Sequence, residues 1–315
     1  MKISKLYIKH INIYSIQIVL LLFFAGNLFA QQEQHYTQFQ LNTFMYNPAL
    51  AGTKTYYQAK TNFRFQWLKI VDSPRTYTLS VYGPSRRKSM GFGGYVFNDV
   101  TGPTSRLTVH LAYAYQFKIE QGKNISLGLS AGIMQYKIDG SKILLHDDND
   151  PSLGNAIYSS IVPDASFGVF YYTDKYNFGI SAGQLIASKI NFSELKALGV
   201  NRLRPHIYAH GLYKYKIDDD WDVEPAILIK YVWPTPPQMD LSVRGIWRDK
   251  VWAGITWRTM DAVGFYIGYN YNDQLYFGYS YDYATTNIHN YSSGTHELMI
   301  TARFNDMKKR GYSSL

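Results

Sequence analysis

From Tyr56 onward the chain is written with a period of two. Ile125, Leu127, Leu129, Ala131 and Ile133 alternate with Ser126, Gly128, Ser130 and Gly132, and Leu107, Val109, Leu111, Tyr113 and Tyr115 alternate with Thr108, His110, Ala112, Ala114 and Gln116. Successive side chains of a strand point to opposite faces, so this pattern describes strands with a different environment on each side. About fourteen such runs follow one another, from residues 56–67 to residues 295–304, with residues 164–172 as the sixth. An even count is what a closed antiparallel outer-membrane barrel demands.

The composition of the two faces separates a membrane barrel from a soluble one. A soluble barrel or sandwich turns its apolar face inward and fills it with large side chains. Here the polar face consists of Gly, Ser, Thr and Ala together with Arg64, Asp240, Arg244, Arg258, Asp282, Glu297 and Arg303, while the other face is Leu, Ile, Val, Phe and Tyr. Only 17% of the 315 residues are charged and 29 are tyrosine. Small and charged residues suit a lumen, and an aromatic excess suits the two interfacial girdles of a membrane barrel. The expected fold is therefore an all-β transmembrane antiparallel β-barrel of about fourteen strands. With the N-terminus in the periplasm, residues 83–89, 121–123, 173–175, 218–220, 248–250 and 270–274 become short periplasmic turns. The long pieces, residues 140–162, 184–202 and 284–294, fall on the outside.

Lys2, Lys5 and Lys9 precede an apolar run and then Asn27-Leu28-Phe29-Ala30-Gln31, the layout of a secretory signal peptide over residues 1–30. An uncleaved anchor helix is the alternative. Losing those three lysines takes the formal charge from +9 to +6. Residues 31–55 then read as a periplasmic N-terminal segment or plug, 56–304 as the barrel, and 305–315 as a basic periplasmic tail. The chain has no cysteine, which excludes a disulfide scaffold and Cys-ligated metal sites.

Charges of both signs in a narrow lumen either pair with one another or line a small channel, and pairing is favoured because an unpaired charge there is costly. Catalytic residues, cofactors and metal ligands are not assigned. His110 has no readable partner, Ser280 and Asp282 share a strand face without a nearby His, and His296 and Glu297 point to opposite faces. Asp147, Asp148, Asn149 and Asp150 offer oxygen ligands on an outer loop, but without the Gly and terminal Glu of a calcium loop they read as a solvated acidic stretch. Lumen-facing Gly128 is expected to tolerate Ser, whereas Arg at lipid-facing Leu127 is not tolerated.

Several short motifs occur in a telling order. They are Asn47-Pro48-Ala49-Leu50-Ala51-Gly52, Arg64-Phe65-Gln66-Trp67, Gly91-Phe92-Gly93, Asn98-Asp99-Val100-Thr101-Gly102, Pro163-Asp164 with Gly168, Gly179-Ile180-Ser181, Gly278-Tyr279-Ser280-Tyr281-Asp282 and Gly294-Thr295-His296-Glu297. In this order the chain resembles the PorP/SprF family of type IX secretion system outer-membrane proteins. One departure is Glu224-Pro225-Ala226, where the family usually has Pro-Ser. The resemblance implies a non-enzymatic barrel of the secretion and gliding machinery of Bacteroidetes, in the cell outer membrane. Such a barrel anchors periplasmic components or supports export and surface attachment of an adhesin. Its partners would be outer-membrane lipid, secretion components and a secreted adhesin, not nucleic acid. The periplasmic turns are too short for a sizeable interface. Asn47, Pro48 and Gly52, with Lys308, Lys309 and Arg310 of the tail, are therefore the candidate partner contacts. A passive or ligand-selective outer-membrane transporter is the alternative and requires an open lumen. A barrel hydrolase comes third.

Overall fold

The computed structural model describes residues 35–86, 89–143, 156–192 and 201–306. Fourteen antiparallel strands close into a barrel. They are β1 (Tyr57–Phe65), β2 (Arg75–Pro84), β3 (Met90–Thr101), β4 (Thr104–Glu120), β5 (Lys123–Asp139), β6 (Ile157–Tyr172), β7 (Tyr176–Gly183), β8 (His206–Tyr213), β9 (Trp221–Val232), β10 (Gln238–Trp247), β11 (Val251–Arg258), β12 (Ala262–Tyr271), β13 (Leu275–Ala284) and β14 (Thr295–Phe304). Each strand pairs with its sequence neighbours, and β1 against β14, from Tyr57↔Phe304 to Phe65↔His296, shuts the ring. Closure leaves no open edge and gives the wall's backbone groups partners within the sheet, which a lipid environment requires. Among the described residues no helix is long and apolar enough to cross a membrane; the strands make the crossing.

The alternation falls as the period of two demands. Leu107, Val109, Leu111, Leu127, Leu129 and Ile133 are exposed on the outer wall, while Thr108, His110, Ser126 and Ser130 are buried in the lumen. At the end with the short turns, Tyr213, Trp221, Trp247, Tyr271 and Phe304 stand outward, and Trp221 sits directly opposite Trp247 across β9 and β10. Trp257 and Tyr283 do the same at the other end. These are the aromatic belts that settle a barrel at the two membrane surfaces, with the short turns in the periplasm.

Two boundaries differ from expectation. Strand β6 starts at Ile157, so what reads as outer loop up to residue 162 is partly wall. Pro163, which lacks an N–H, interrupts the strand signature, yet it sits opposite Ile133 on the outward face and the alternation continues through it. The outer segment after β7 is also not plain loop. Lys189–Ile190 pairs with Asn201–Arg202, and Ile190 and Leu203 pack on Met134 and Val162 of the wall.

A lumen ringed by fourteen strands is too wide for its wall side chains to fill. The chain ahead of β1 occupies much of it. Three short 3₁₀ turns, Phe39–Leu41, Thr43–Met45 and Pro48–Leu50, fold inside the barrel. Tyr36, Phe39, Met45 and Tyr46 form an apolar core there with Phe97, Tyr208 and Leu228 of the wall, and Phe44 stacks on Tyr82 at 4.2 Å between ring centroids.

Candidate functional site in the barrel lumen

The outer half of the lumen is tied together by ionic contacts. Three cations, Arg64, Lys230 and Arg258, meet four carboxylates, Asp240, Asp261, Asp282 and Glu297. Arg64 reaches Asp282 at 2.7 Å and Glu297 at 2.9 Å, and Lys230 reaches Asp240 at 3.0 Å. Arg258 holds Asp261 at 2.9 Å and lies 3.4 Å from Asp240 and 3.5 Å from Asp282. The contributing strands are β1, β9, β10, β11, β13 and β14, so the cluster ties six of the fourteen strands together across the interior.

The N-terminal segment is bound into this cluster. The Thr37 amide donates to Glu297 Oε2 at 2.9 Å, and its hydroxyl donates to Asp282 Oδ1 at 2.5 Å while accepting from Arg64 at 3.0 Å. Thr256 donates to the Thr37 carbonyl at 2.9 Å. Lys230 donates to His35 Nδ1 at 2.7 Å, which requires that nitrogen to be unprotonated. Burial first, and then the nearby charges of Lys230, Arg258 and Arg64, push the His35 imidazole well below its ordinary value of 6.5, so it is neutral as that hydrogen bond demands.

Further along the segment the fastening changes from charge to shape. Asn47 is fully buried: its side-chain oxygen caps the Pro48–Leu50 turn by accepting from the Ala49 amide, and its Nδ2 donates to the Val169 carbonyl at 3.1 Å and lies 3.2 Å from His210 Nε2. The wall beside it is bare. A Cβ on Gly128 would lie 2.2 Å from the Ala49 nitrogen, and one on Gly168 would lie 2.1 Å from Asn47 Oδ1. Gly128 is therefore lumen-facing as expected, but the expectation that it tolerates Ser fails because the segment already occupies that space. Gln116 donates to the Ala51 carbonyl at 2.7 Å and Ser181 to that of Tyr46 at 2.8 Å.

The lumen residues chosen from sequence fall into three groups. Arg64, Asp240, Arg258, Asp282 and Glu297 come together in the outer cluster. Arg244 lies apart, paired with Glu224 directly across β9 and β10. That gives the unusual Glu224-Pro225-Ala226 a local role. Arg303 lies nearer the periplasm, bonded to the Tyr276 hydroxyl, with its guanidinium over the rings of Tyr276 at 3.8 Å and Tyr56 at 4.8 Å. Of the candidate partner contacts, Asn47 and Pro48 are enclosed in the lumen and Gly52 is partly buried, so in this conformation Asn47 and Pro48 present no surface. Lys308, Lys309 and Arg310 lie outside the described residues, as do residues 1–30 and the acidic stretch at Asp147, Asp148, Asn149 and Asp150.

Sequence reasoning missed the environment of His110. Its Nε2 is 3.2 Å from Asp164 Oδ2 and its Nδ1 is 3.2 Å from Ser130 Oγ. The partners come from neighbouring strands, since the register sets Gly132 opposite both His110 and Asp164. These are the residue types of a hydrolytic triad, but all three are buried and Tyr95 stacks on the imidazole at 5.0 Å, leaving no approach for a substrate carbonyl. Among the described residues no three His, Asp or Glu side chains stand where they would hold a metal ion.

Below the segment the lumen widens into a cavity of about 680 Å³, lined by Lys54, Lys60, Arg244, Arg303 and Trp252 and reaching Thr173, Asp249 and Asp273 of the short turns. It is the periplasmic mouth of the barrel.

A family model described as "Type IX secretion system membrane protein PorP/SprF" matches residues 28–302. Among curated proteins nothing matches the chain. Similar solved structures include the CymD monoaromatic hydrocarbon channel, 11% identical over 83% of this chain and 91% of that one with a TM-score of 0.47. The Acinetobacter baumannii outer membrane protein Omp33 is 8% identical over 80% and 100%, with a TM-score of 0.48.

Proposed function

Because this chain belongs to the PorP/SprF family of type IX secretion system membrane proteins, we propose that it serves that machinery as a non-enzymatic barrel subunit. In this role it anchors periplasmic components or supports export and surface attachment of an adhesin. A signal peptide over residues 1–30 takes it out of the cytoplasm. The observation that carries the proposal is the filled lumen: Thr37, Asn47 and Ala51 are each hydrogen-bonded to the wall, and the segment packs against bare glycines. A passage for solutes would require all of these contacts to break. A fixed, filled barrel suits a part that other proteins hold, and its periplasmic mouth and the residues 305–315 tail are the faces a periplasmic partner meets.

Affinity isolation of the full chain from native outer membranes, with identification of the proteins that accompany it, tests this role. Secretion components should co-purify, and purified protein in planar bilayers should show no steady conductance. Large stable conductance together with the absence of secretion components would replace the anchor with the transporter.

A further inference from the structure

Among the described residues, five cationic side chains are buried: Lys60, Arg64, Lys230, Arg244 and Arg258. Four of them touch a carboxylate within 4.0 Å. Lys60 is the exception. It lies on the lumen face of β1, opposite Ser80 and Thr301 and only 5% exposed, with no hydrogen bond or ion pair among the described residues. It lines the periplasmic cavity together with Lys54 and Arg303, neither of which forms an ion pair with a carboxylate of the cavity lining. Three acids share the cavity, Glu224, Asp249 and Asp273. Glu224 pairs with Arg244 and Asp273 accepts from Asn270, and among the described residues neither these two nor Asp249 forms an ion pair with Lys54, Lys60 or Arg303. Arg303 is held flat between Tyr56 and Tyr276 with its Nε buried and unbonded.

A buried cation without a counter-ion is costly, and buried Lys60 stands with half-buried Arg303 and exposed Lys54 around one opening, so the mouth carries a positive field for an anionic group to answer. We propose that this periplasmic mouth is a binding site for an acidic peptide segment, whose carboxylates pair with Lys54, Lys60 and Arg303. A volume of about 680 Å³ suits a short length of chain rather than a single ion. The tyrosine rings around Arg303 offer apolar faces with hydroxyl edges, which accept peptide side chains and main chain together. A lipid is the wrong shape, because its acyl chains would have to lie inside a polar lumen instead of on the outer wall. This site deepens the anchoring role and rests on it for the identity of the partner as a protein.

The probe is a fluorescein-labelled hexaglutamate peptide, added to full-length protein in detergent and followed by anisotropy. Binding should weaken as salt rises. It should fall at least tenfold in Lys60→Gln and in Lys54→Gln, and stay unchanged in Lys118→Gln on the exposed end of β4. Lys54 precedes the wall, so Lys54→Gln keeps the test informative if Lys60→Gln does not fold by heat-modifiable gel mobility. Equal binding of hexaglutamine, or full affinity in Lys54→Gln and Lys60→Gln, overturns the site. Displacement of the peptide by equimolar inorganic phosphate would reduce the site to one for simple ions and overturn the peptide assignment. Failure here leaves co-purification of secretion components untouched, whereas loss of co-purification with peptide binding intact sinks the anchoring role and leaves the site standing.

Discussion

The outer and periplasmic halves of one lumen treat charge in opposite ways. In the outer half Arg64, Lys230 and Arg258 each contact carboxylates, and the N-terminal segment is threaded through the same hydrogen bonds. In the periplasmic half Lys54, Lys60 and Arg303 face a cavity with no carboxylate in contact among the described residues. Equal strand geometry surrounds both halves, so the barrel itself does not decide how charge is used. Pairing in the outer half makes a lock, since removing any member strands its partners. In the mouth Arg244 pairs with Glu224, but Lys54, Lys60 and Arg303 have no carboxylate in contact among the described residues, which leaves a positive field open to whatever enters.

The contrast breaks most directly by substituting one cation in each half. Arg64→Ala leaves Asp282 and Glu297 with fewer partners in a buried site and removes a donor to Thr37. Breaking a buried pair in this way costs about 3–5 kcal/mol. Lys60→Ala removes a cation that has no partner among the described residues, and should leave stability unchanged or raise it. Urea midpoints from heat-modifiable gel mobility compare the two. Equal losses for both variants would mean that the outer cluster is no lock.

A second pair of substitutions sets the outside of the wall against its inside. Leu127→Arg places a charge on the lipid face and costs about 2–4 kcal/mol at mid-bilayer. Gly128→Ser, one residue on, drives an atom into Ala49 and costs about 1–3 kcal/mol through overpacking. Their signatures differ. Leu127→Arg should lower the yield of inserted barrel, whereas Gly128→Ser should keep the barrel and release the segment, seen as new protease cleavage within residues 35–52. A Gly128→Ser protein with the segment fully protected would show that the close contact gives way at little cost.

The wall was legible because one residue in two reports its face, and a single period carries from β1 to β14. The start of β6 was hidden by Pro163, whose missing N–H reads as a strand breaker although on the outward face the sequence resumes its alternation. The inward direction of Arg64, Asp282 and Glu297 was legible for the same reason as the wall. Which of them touch was not: Arg64 and Asp282 are 218 residues apart, and only closure of β1 on β14 brings their strands together. Residues 35–52 have no periodicity, and nothing local to Asn47 and Pro48 distinguishes a buried turn from a solvated one. The glycines that receive it, Gly128 and Gly168, look in sequence like any small lumen residue, because their meaning lies in what the segment brings to them.

The smallest expected effect is pH dependence at the outer end of the segment. His35 is neutral when docked, because burial and then Lys230, Arg258 and Arg64 disfavour its cation. Once the segment leaves the lumen, His35 returns to its ordinary value of 6.5 and takes up a proton below that pH. The released state then binds more protons than the docked one, so docking is strongest above pH 6.5 and weakens as the pH falls below it. The slope is at most about 1.4 kcal/mol per pH unit, and it ends where the docked imidazole itself becomes protonated. Protease cleavage within residues 35–52 should therefore rise between pH 7 and pH 5 in the native chain. His35→Gln has no proton to gain and should flatten that rise, while Lys60→Gln in the unlocked half should leave it unchanged. An identical pH profile in native protein and His35→Gln would show that His35 does not couple the segment to pH, and that the acid sensitivity arises from the carboxylates of the outer cluster.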